Sequence, residues 1–223
     1  MADSRARWRW LAVPVFALAI WVIVRAADPP RHPDTVPRTP APTAAPSPSS
    51  GTGSRATPGP SRSYDPADYA PQVRKHAAGS GITPRLLMVI LYNEAYKPHD
   101  PDLERAWQRY KPDAAFGIAN MHRAAFDETR QGRDFANRRW EELPDDRDLA
   151  IEAAAWYLHD LGRQLPAHWP ATYSRQELLA LGYNAGAGNM LAFARGATPG
   201  TQARSYLDRL HANWRSAGRA LAP

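Results

Sequence analysis

The sequence predicts an all-α domain over residues 64–223, set behind an N-terminal hydrophobic segment (1–27) and a disordered linker rich in Pro, Ser and Thr (28–63). Three observations carry the prediction. Apolar residues after position 64 recur at three-to-four-residue spacing, with no sustained alternation of the kind strands show. Helix starts and stops punctuate the same stretch, among them Thr83-Pro84, the box Ser174-Arg-Gln-Glu177 and glycines at 79, 81 and 132. Composition changes as well: all nine tyrosines and five of the eight tryptophans fall beyond residue 63. A stretch of this length buries roughly two thirds of its unfolded surface in one core.

The first segment pairs charge with apolarity. Arg5, Arg7 and Arg9 precede an uncharged run, Trp10 to Val24. A positive flank stays cytoplasmic while the rest crosses outward. Spanning helices need about 20 residues, and Trp8 and Trp10 at one end and Trp21 near the other extend this shorter run at the interfaces. Val24-Arg25-Ala26 also offers small residues of the kind signal peptidase accepts. The segment therefore reads as a signal anchor or a cleaved signal peptide, and the domain as exported. Residues 28–63 hold ten of the 22 prolines and no aromatic residue. They bury too little apolar surface to offset the entropy of ordering. As a semi-stiff spacer at about 3.1 Å per residue they reach roughly 110 Å.

In the domain itself, Tyr69 to Ala78 is predicted helical and stopped by Gly79-Ser-Gly81. A second helix starts at Thr83-Pro84 and runs to Tyr96, ended by Lys97-Pro98. An irregular polar stretch is expected from Pro98 to Asn120, then a short helix over Ala124–Gln131. Asp148 to Gln164 follows, with Leu149, Ala153, Trp156, Tyr157 and Leu161 on a core face. Glu177–Asn184, Ala187–Ala194 and Gln202–Ala220 complete about seven helices.

The net charge of +6 divides as +5 over residues 1–63 and +1 over 64–223, and no run of five basic residues occurs in the domain. The basic leader suits anionic lipid or wall polymers, and a nucleic-acid partner is not expected. The absence of cysteine excludes a disulfide framework, a thiol nucleophile and a Cys-ligated zinc. There is no His-Glu-x-x-His, no phosphate loop and no Gly-x-Ser-x-Gly elbow, so no cofactor or metal is expected.

The chemistry centres on Glu94. Leu87, Ile90, Leu91 and Glu94 stand at i, i+3, i+4 and i+7, so a carboxylate continues an apolar stripe in the last turn of its helix. Desolvation and the negative end of the helix dipole both disfavour its charge. A glutamate held protonated near neutral pH is what a general acid for glycosidic cleavage requires. Two further segments follow: Ala115-Phe-Gly-Ile-Ala-Asn-Met-His122, and Ala180-Leu-Gly-Tyr-Asn-Ala-Gly-Ala-Gly188.

Taken in this order, the three segments resemble the soluble lytic transglycosylase catalytic domain, a lysozyme-like fold of goose-type architecture. Val89-Ile-Leu-Tyr-Asn-Glu94-Ala is similar to that family's glutamate-bearing helix end. Gly117-Ile-Ala-Asn120 stands where the family has Gly-Leu-Met-Gln. Gly182-Tyr183-Asn184-Ala-Gly186 matches its Ala-Tyr-Asn-Ala-Gly, and Thr201-Gln-Ala-Arg-Ser-Tyr206-Leu echoes a late Glu-Thr-x-x-Tyr-Val. The likeness spans about residues 70–215. Two positions depart from the pattern: Ala95 replaces the serine after the glutamate, and Asn120 replaces the glutamine.

The resemblance implies a lysozyme-like all-α fold and cleavage of the β-1,4 bond between N-acetylmuramic acid and N-acetylglucosamine in peptidoglycan. Glu94 would act as acid and then base, while the sugar's own 6-hydroxyl attacks the anomeric carbon and leaves a 1,6-anhydro-muramyl end. Phe116, Gly117, Asn120, Tyr183, Asn184 and Tyr206 would bind the glycan. The partners implied are peptidoglycan strands and, through the N-terminal segment, the membrane; a monomer is expected. Two alternatives stay open. A lysozyme-type hydrolase would need a second acid to hold water, drawn from Asp100, Asp102, Glu104 or Asp113. A non-catalytic wall-binding domain would keep the fold alone. Trp107, in the polar stretch, is a candidate for sugar stacking.

Overall fold

Six successive apolar residues, Leu86 to Leu91, set the architecture, because a helix without a polar face has to be enclosed. The computed structural model describes residues 64–222, which fall in one compact unit. The elements in order are α1 (Ala70–Ser80), α2 (Pro84–Glu94), α3 (Pro101–Tyr110), a two-stranded antiparallel ribbon β1 (Ala115–Phe116) and β2 (Met121–His122), α4 (Arg123–Thr129), α5 (Arg147–Gln164), α6 (Arg175–Ala185), α7 (Ala187–Ala194) and α8 (Thr201–Ala220), with 3-10 turns at Pro66–Tyr69 and Trp140–Glu142. The described part is thus mostly helical, as an all-α class requires. The N-terminal apolar segment and the proline-rich linker expected from the sequence lie outside the described residues. Among the described residues no helix is long and apolar enough to cross a membrane.

α2 is the centre. All of Leu86 to Leu91 are buried, so the helix is covered all round rather than along the single stripe the spacing suggested. α8 packs along one side of it and α1 along another; α5 lies on α1, α4 and α6, and α6 lies on α7 and α8. Asn93 ties the two central helices together, its Nδ2 donating to the Tyr206 carbonyl at 3.3 Å.

Helix ends follow local chemistry. Ser174 and Glu177 form the expected reciprocal capping box, and α6 starts at Arg175, directly after the cap. α1 begins at Ala70, after a 3-10 turn capped by Asp65, and closes on Gly81 with φ 71°. α2 stops at Glu94, two residues before the predicted end. Pro98 has no N–H to give the Glu94 carbonyl, and His99 Nε2 donates to that carbonyl instead, at 3.1 Å.

The stretch from Pro98 to Asn120, expected to be irregular, instead holds α3 and the first strand. Asp100 caps α3 by accepting from the Leu103 amide at 3.0 Å, with Pro101 at the first helical position. Glu104 faces inward, while Leu103, Trp107 and Tyr110 are 66%, 55% and 77% exposed. The ribbon pairs Ala115 with His122 and Phe116 with Met121. Gly117 opens its turn at φ 72°, and a Cβ there would sit 2.8 Å from the Leu143 carbonyl oxygen, so only glycine fits. Trp140 supports the ribbon from below: its Nε1 donates to the Met121 carbonyl at 2.8 Å and its ring meets Phe116 edge-on at 5.2 Å.

Candidate active site

Four elements converge on one cleft of about 600 Å³. The end of α2 supplies Glu94 and, just beyond, Tyr96. The ribbon supplies Asn120 and His122, and the end of α6 supplies Tyr183 and Asn184. The first turns of α8 supply Thr201, Gln202, Ser205, Tyr206 and Arg209.

Glu94 sits in the wall of this cleft, only 5% exposed. Both oxygens are held. The Tyr206 hydroxyl donates to Oε1 at 2.9 Å, and Asn120 Nδ2 donates to Oε2 at 3.0 Å. Burial raises its pKa above the ordinary carboxyl value. The bonds from Tyr206 and Asn120, and the charges of Lys97 and Arg209, pull the other way but do not cancel the burial. Burial also pushes the Tyr206 and Tyr183 phenols far up, so both stay protonated and Tyr206 serves as donor. Tyr183 spends its proton on the Ala119 carbonyl at 2.6 Å, which ties α6 to the ribbon.

Two non-glycine residues with positive φ stand among the described ones, His99 and Asn120, both at 49°. They flank Glu94: one holds its carbonyl, the other its carboxylate. Strained backbone of this kind costs about 1–3 kcal/mol and collects at functional sites.

Of the residues singled out in the sequence, the structure brings Glu94, Asn120, Tyr183, Asn184 and Tyr206 to the cleft. It does not bring Phe116 and Gly117. Phe116 is buried against Trp140 beneath the ribbon, and Gly117 makes the turn while its amide donates to Glu104 Oε2 at 2.7 Å. Both shape the cleft through the ribbon and do not line it. Trp107 is exposed on α3 and is not a lining residue. Trp156, expected in the core, is only partly buried and lies under the Arg133 guanidinium at 4.6 Å.

Three of the four loop acids have their carboxylates occupied elsewhere, and none of the four lines the cleft. Asp100 caps α3, Asp102 pairs with Arg105, and Glu104 bridges His99 Nδ1, at 3.0 Å, and the Gly117 amide. Asp113 faces His122 through its carbonyl, which accepts from Nδ1 at 2.8 Å. Among the described residues Glu94 is the one carboxylate lining the cleft. Ala95 leaves no hydroxyl beside it, yet Tyr206 and Asn120 already supply two donors.

Sequence reasoning missed Tyr96, His122, Thr201, Gln202, Ser205 and Arg209. A signal for the last three was present: 202, 205 and 209 follow the i, i+3, i+7 spacing of one helix face, the face that carries Tyr206.

No family model, no curated protein and no solved structure matches the chain. The site therefore stands on its geometry: a single enclosed acid with a raised pKa, two donors on its oxygens and a polar cleft before it. Such a group delivers a proton to a leaving oxygen and, once ionised, takes one back.

Removing the Tyr206 hydroxyl tests this electrostatic account. In Tyr206→Phe, Glu94 loses a bond that favours its charged form, so its titration moves to still higher pH. A ¹³C titration of the labelled glutamate carboxyls, with Glu94 assigned by its absence in Glu94→Gln, reads that shift. A Glu94 that titrates as in the parent would contradict the account.

Proposed function

We propose that the cleft is the catalytic site of a peptidoglycan lytic transglycosylase on a lysozyme-like helical fold. The observation that carries the reading is the lone buried acid. Most glycosidases need two carboxyls, one of them to act as base or nucleophile. Here the cleft offers one, so a route in which a single group acts twice is favoured over a lysozyme-type hydrolysis. A buried carboxyl kept without use also costs stability, which argues against a wall-binding domain without activity.

In this reading the Glu94 proton passes to the oxygen between N-acetylmuramic acid and N-acetylglucosamine, and that C–O bond breaks. The Glu94 carboxylate, steadied by Tyr206 and Asn120, then takes the proton of the muramyl 6-hydroxyl as its oxygen bonds to the anomeric carbon. The product is a 1,6-anhydro-muramyl end and no water is consumed. Tyr183 walls the cleft, and the Asn184 amide bonds an acetamido group of the glycan in this reading. The basic, apolar leader and its proline-rich linker add that the domain works outside the cytoplasmic membrane, held to it or released from it.

The test is mass spectrometry of soluble products after the full-length chain digests purified peptidoglycan. Anhydro-muramyl ends are expected. Reducing muramyl ends would transfer the reading to hydrolysis, and wall binding without products would end the enzymatic one.

A further inference from the structure

Lys97 takes no part in the acid–base steps above, yet it stands one side chain behind them, on Asn120. Its Nζ donates to Asn120 Oδ1 and to the Ala115 carbonyl at 3.4 Å, so one ammonium grips both the end of the ribbon's turn and its first strand. It is half-buried and forms no ion pair with an acid among the described residues. On the other side of the same amide, Asn120 Nδ2 donates to Glu94 Oε2 at 3.0 Å and to the Tyr96 hydroxyl at 3.1 Å. The two ends of an asparagine amide have nearly the same shape, so sterics do not choose between them. Charge does: an ammonium, which only donates, demands the oxygen, and a carboxylate demands the nitrogen.

We infer that Lys97 is a positioning residue that locks the Asn120 amide with its N–H groups toward Glu94 and acts on the acid through that amide. The inference deepens the proposed function and rests on it for Glu94's role. Without Lys97 the amide is free to turn, and its oxygen then faces Glu94. An amide oxygen cannot donate to a carboxylate, but it accepts from a carboxylic acid. The loss therefore favours the protonated acid and removes the donor that steadies it when it must act as base. The other groups facing Glu94 are Tyr206 and Arg209 from α8, Tyr183 from α6, His122 from β2, and Tyr96 after α2. Apart from Tyr96, none of them bonds the Asn120 side chain, so none substitutes for Lys97 in setting the amide.

A double-mutant cycle on the full-length chain separates this relay from plain attraction between charges. In Lys97→Met the Glu94 ¹³C titration moves to higher pH, kcat on peptidoglycan falls about tenfold with little change in KM, and Lys97→Arg recovers both. In an Asn120→Ala background the same Lys97→Met change leaves the Glu94 titration nearly where it was. An equal shift in both backgrounds, or no shift in either, overturns the inference. A parent chain that turns over no peptidoglycan while the titrations behave as described would instead sink the proposed function and leave the relay standing.

Discussion

Glu94→Gln is expected to lower turnover of peptidoglycan by about 10³–10⁴-fold, the upper part of the range for one general acid–base group, because in the proposed mechanism the same carboxyl serves both steps. The geometry of the site should survive. A glutamine in the same rotamer accepts from Asn120 through its oxygen and donates to Tyr206, whose hydroxyl accepts as readily as it donates. Stability should move in the opposite direction to activity. Burial raises the Glu94 pKa in the folded chain, whereas in the unfolded chain the group titrates in the ordinary carboxyl range. Between those two values the folded state binds more protons, so stability falls as pH rises through the window and levels off above the folded-state value. Glutamine has no such penalty. Urea unfolding at several pH values should therefore find Glu94→Gln more stable than the parent at neutral pH. The gap should close below the ordinary carboxyl range. A gap that is constant with pH would mean that Glu94 carries no burial penalty.

The second large effect concerns the ribbon. Trp140 is 1% exposed, fills the space beneath Phe116, bonds the Met121 carbonyl and has Arg123 over its ring at 4.6 Å. Trp140→Ala should cost about 3–5 kcal/mol of stability, read by chemical denaturation, and it leaves that carbonyl without its donor. The damage should not be spread evenly. The ribbon holds Asn120 against Glu94 and receives the Tyr183 hydroxyl, so activity should fall by more than the loss of folded protein explains. The Glu94 titration of the protein that remains folded should also move up. An activity loss that only tracks the unfolded fraction would separate the ribbon from the site.

How far these features were legible in the sequence depends on how local their causes are. α6 was readable because Ser174 and Glu177 satisfy each other's backbone partners within four residues. α2 was readable from its apolar run, although the spacing described a stripe and the helix proved to be enclosed all round; what covers the far side is a tertiary fact. α3 was missed although Asp100-Pro101 is a sound start signal. Its apolar residues, Leu103, Trp107 and Tyr110, share one flank that faces solvent, and its polar composition read as loop. The ribbon was missed because two residues per strand are too few to alternate. In the site, Glu94, Asn120, Tyr183, Asn184 and Tyr206 were found as motif positions. Phe116 and Gly117 were assigned to sugar contact, but their spacing reflects the turn and the packing on Trp140. Lys97 carried no local mark, since its meaning lies in a partner 23 residues away.

Position 120 has a consequence for which replacements the chain can accept. Its backbone is left-handed, which admits asparagine, aspartate and glycine far more readily than other residues. Its side chain must offer an oxygen to Lys97 and an N–H to Glu94 at once. Glycine meets the first demand and has no side chain for the second. Aspartate suits the backbone and Lys97, but it turns a bare oxygen toward Glu94. Glutamine carries the right groups on a stem one methylene too long and pays for the backbone besides. A library randomised at this codon and selected for wall cleavage should return asparagine almost alone, while the buried positions of α2 a few ångströms away exchange among Leu, Ile, Met and Val.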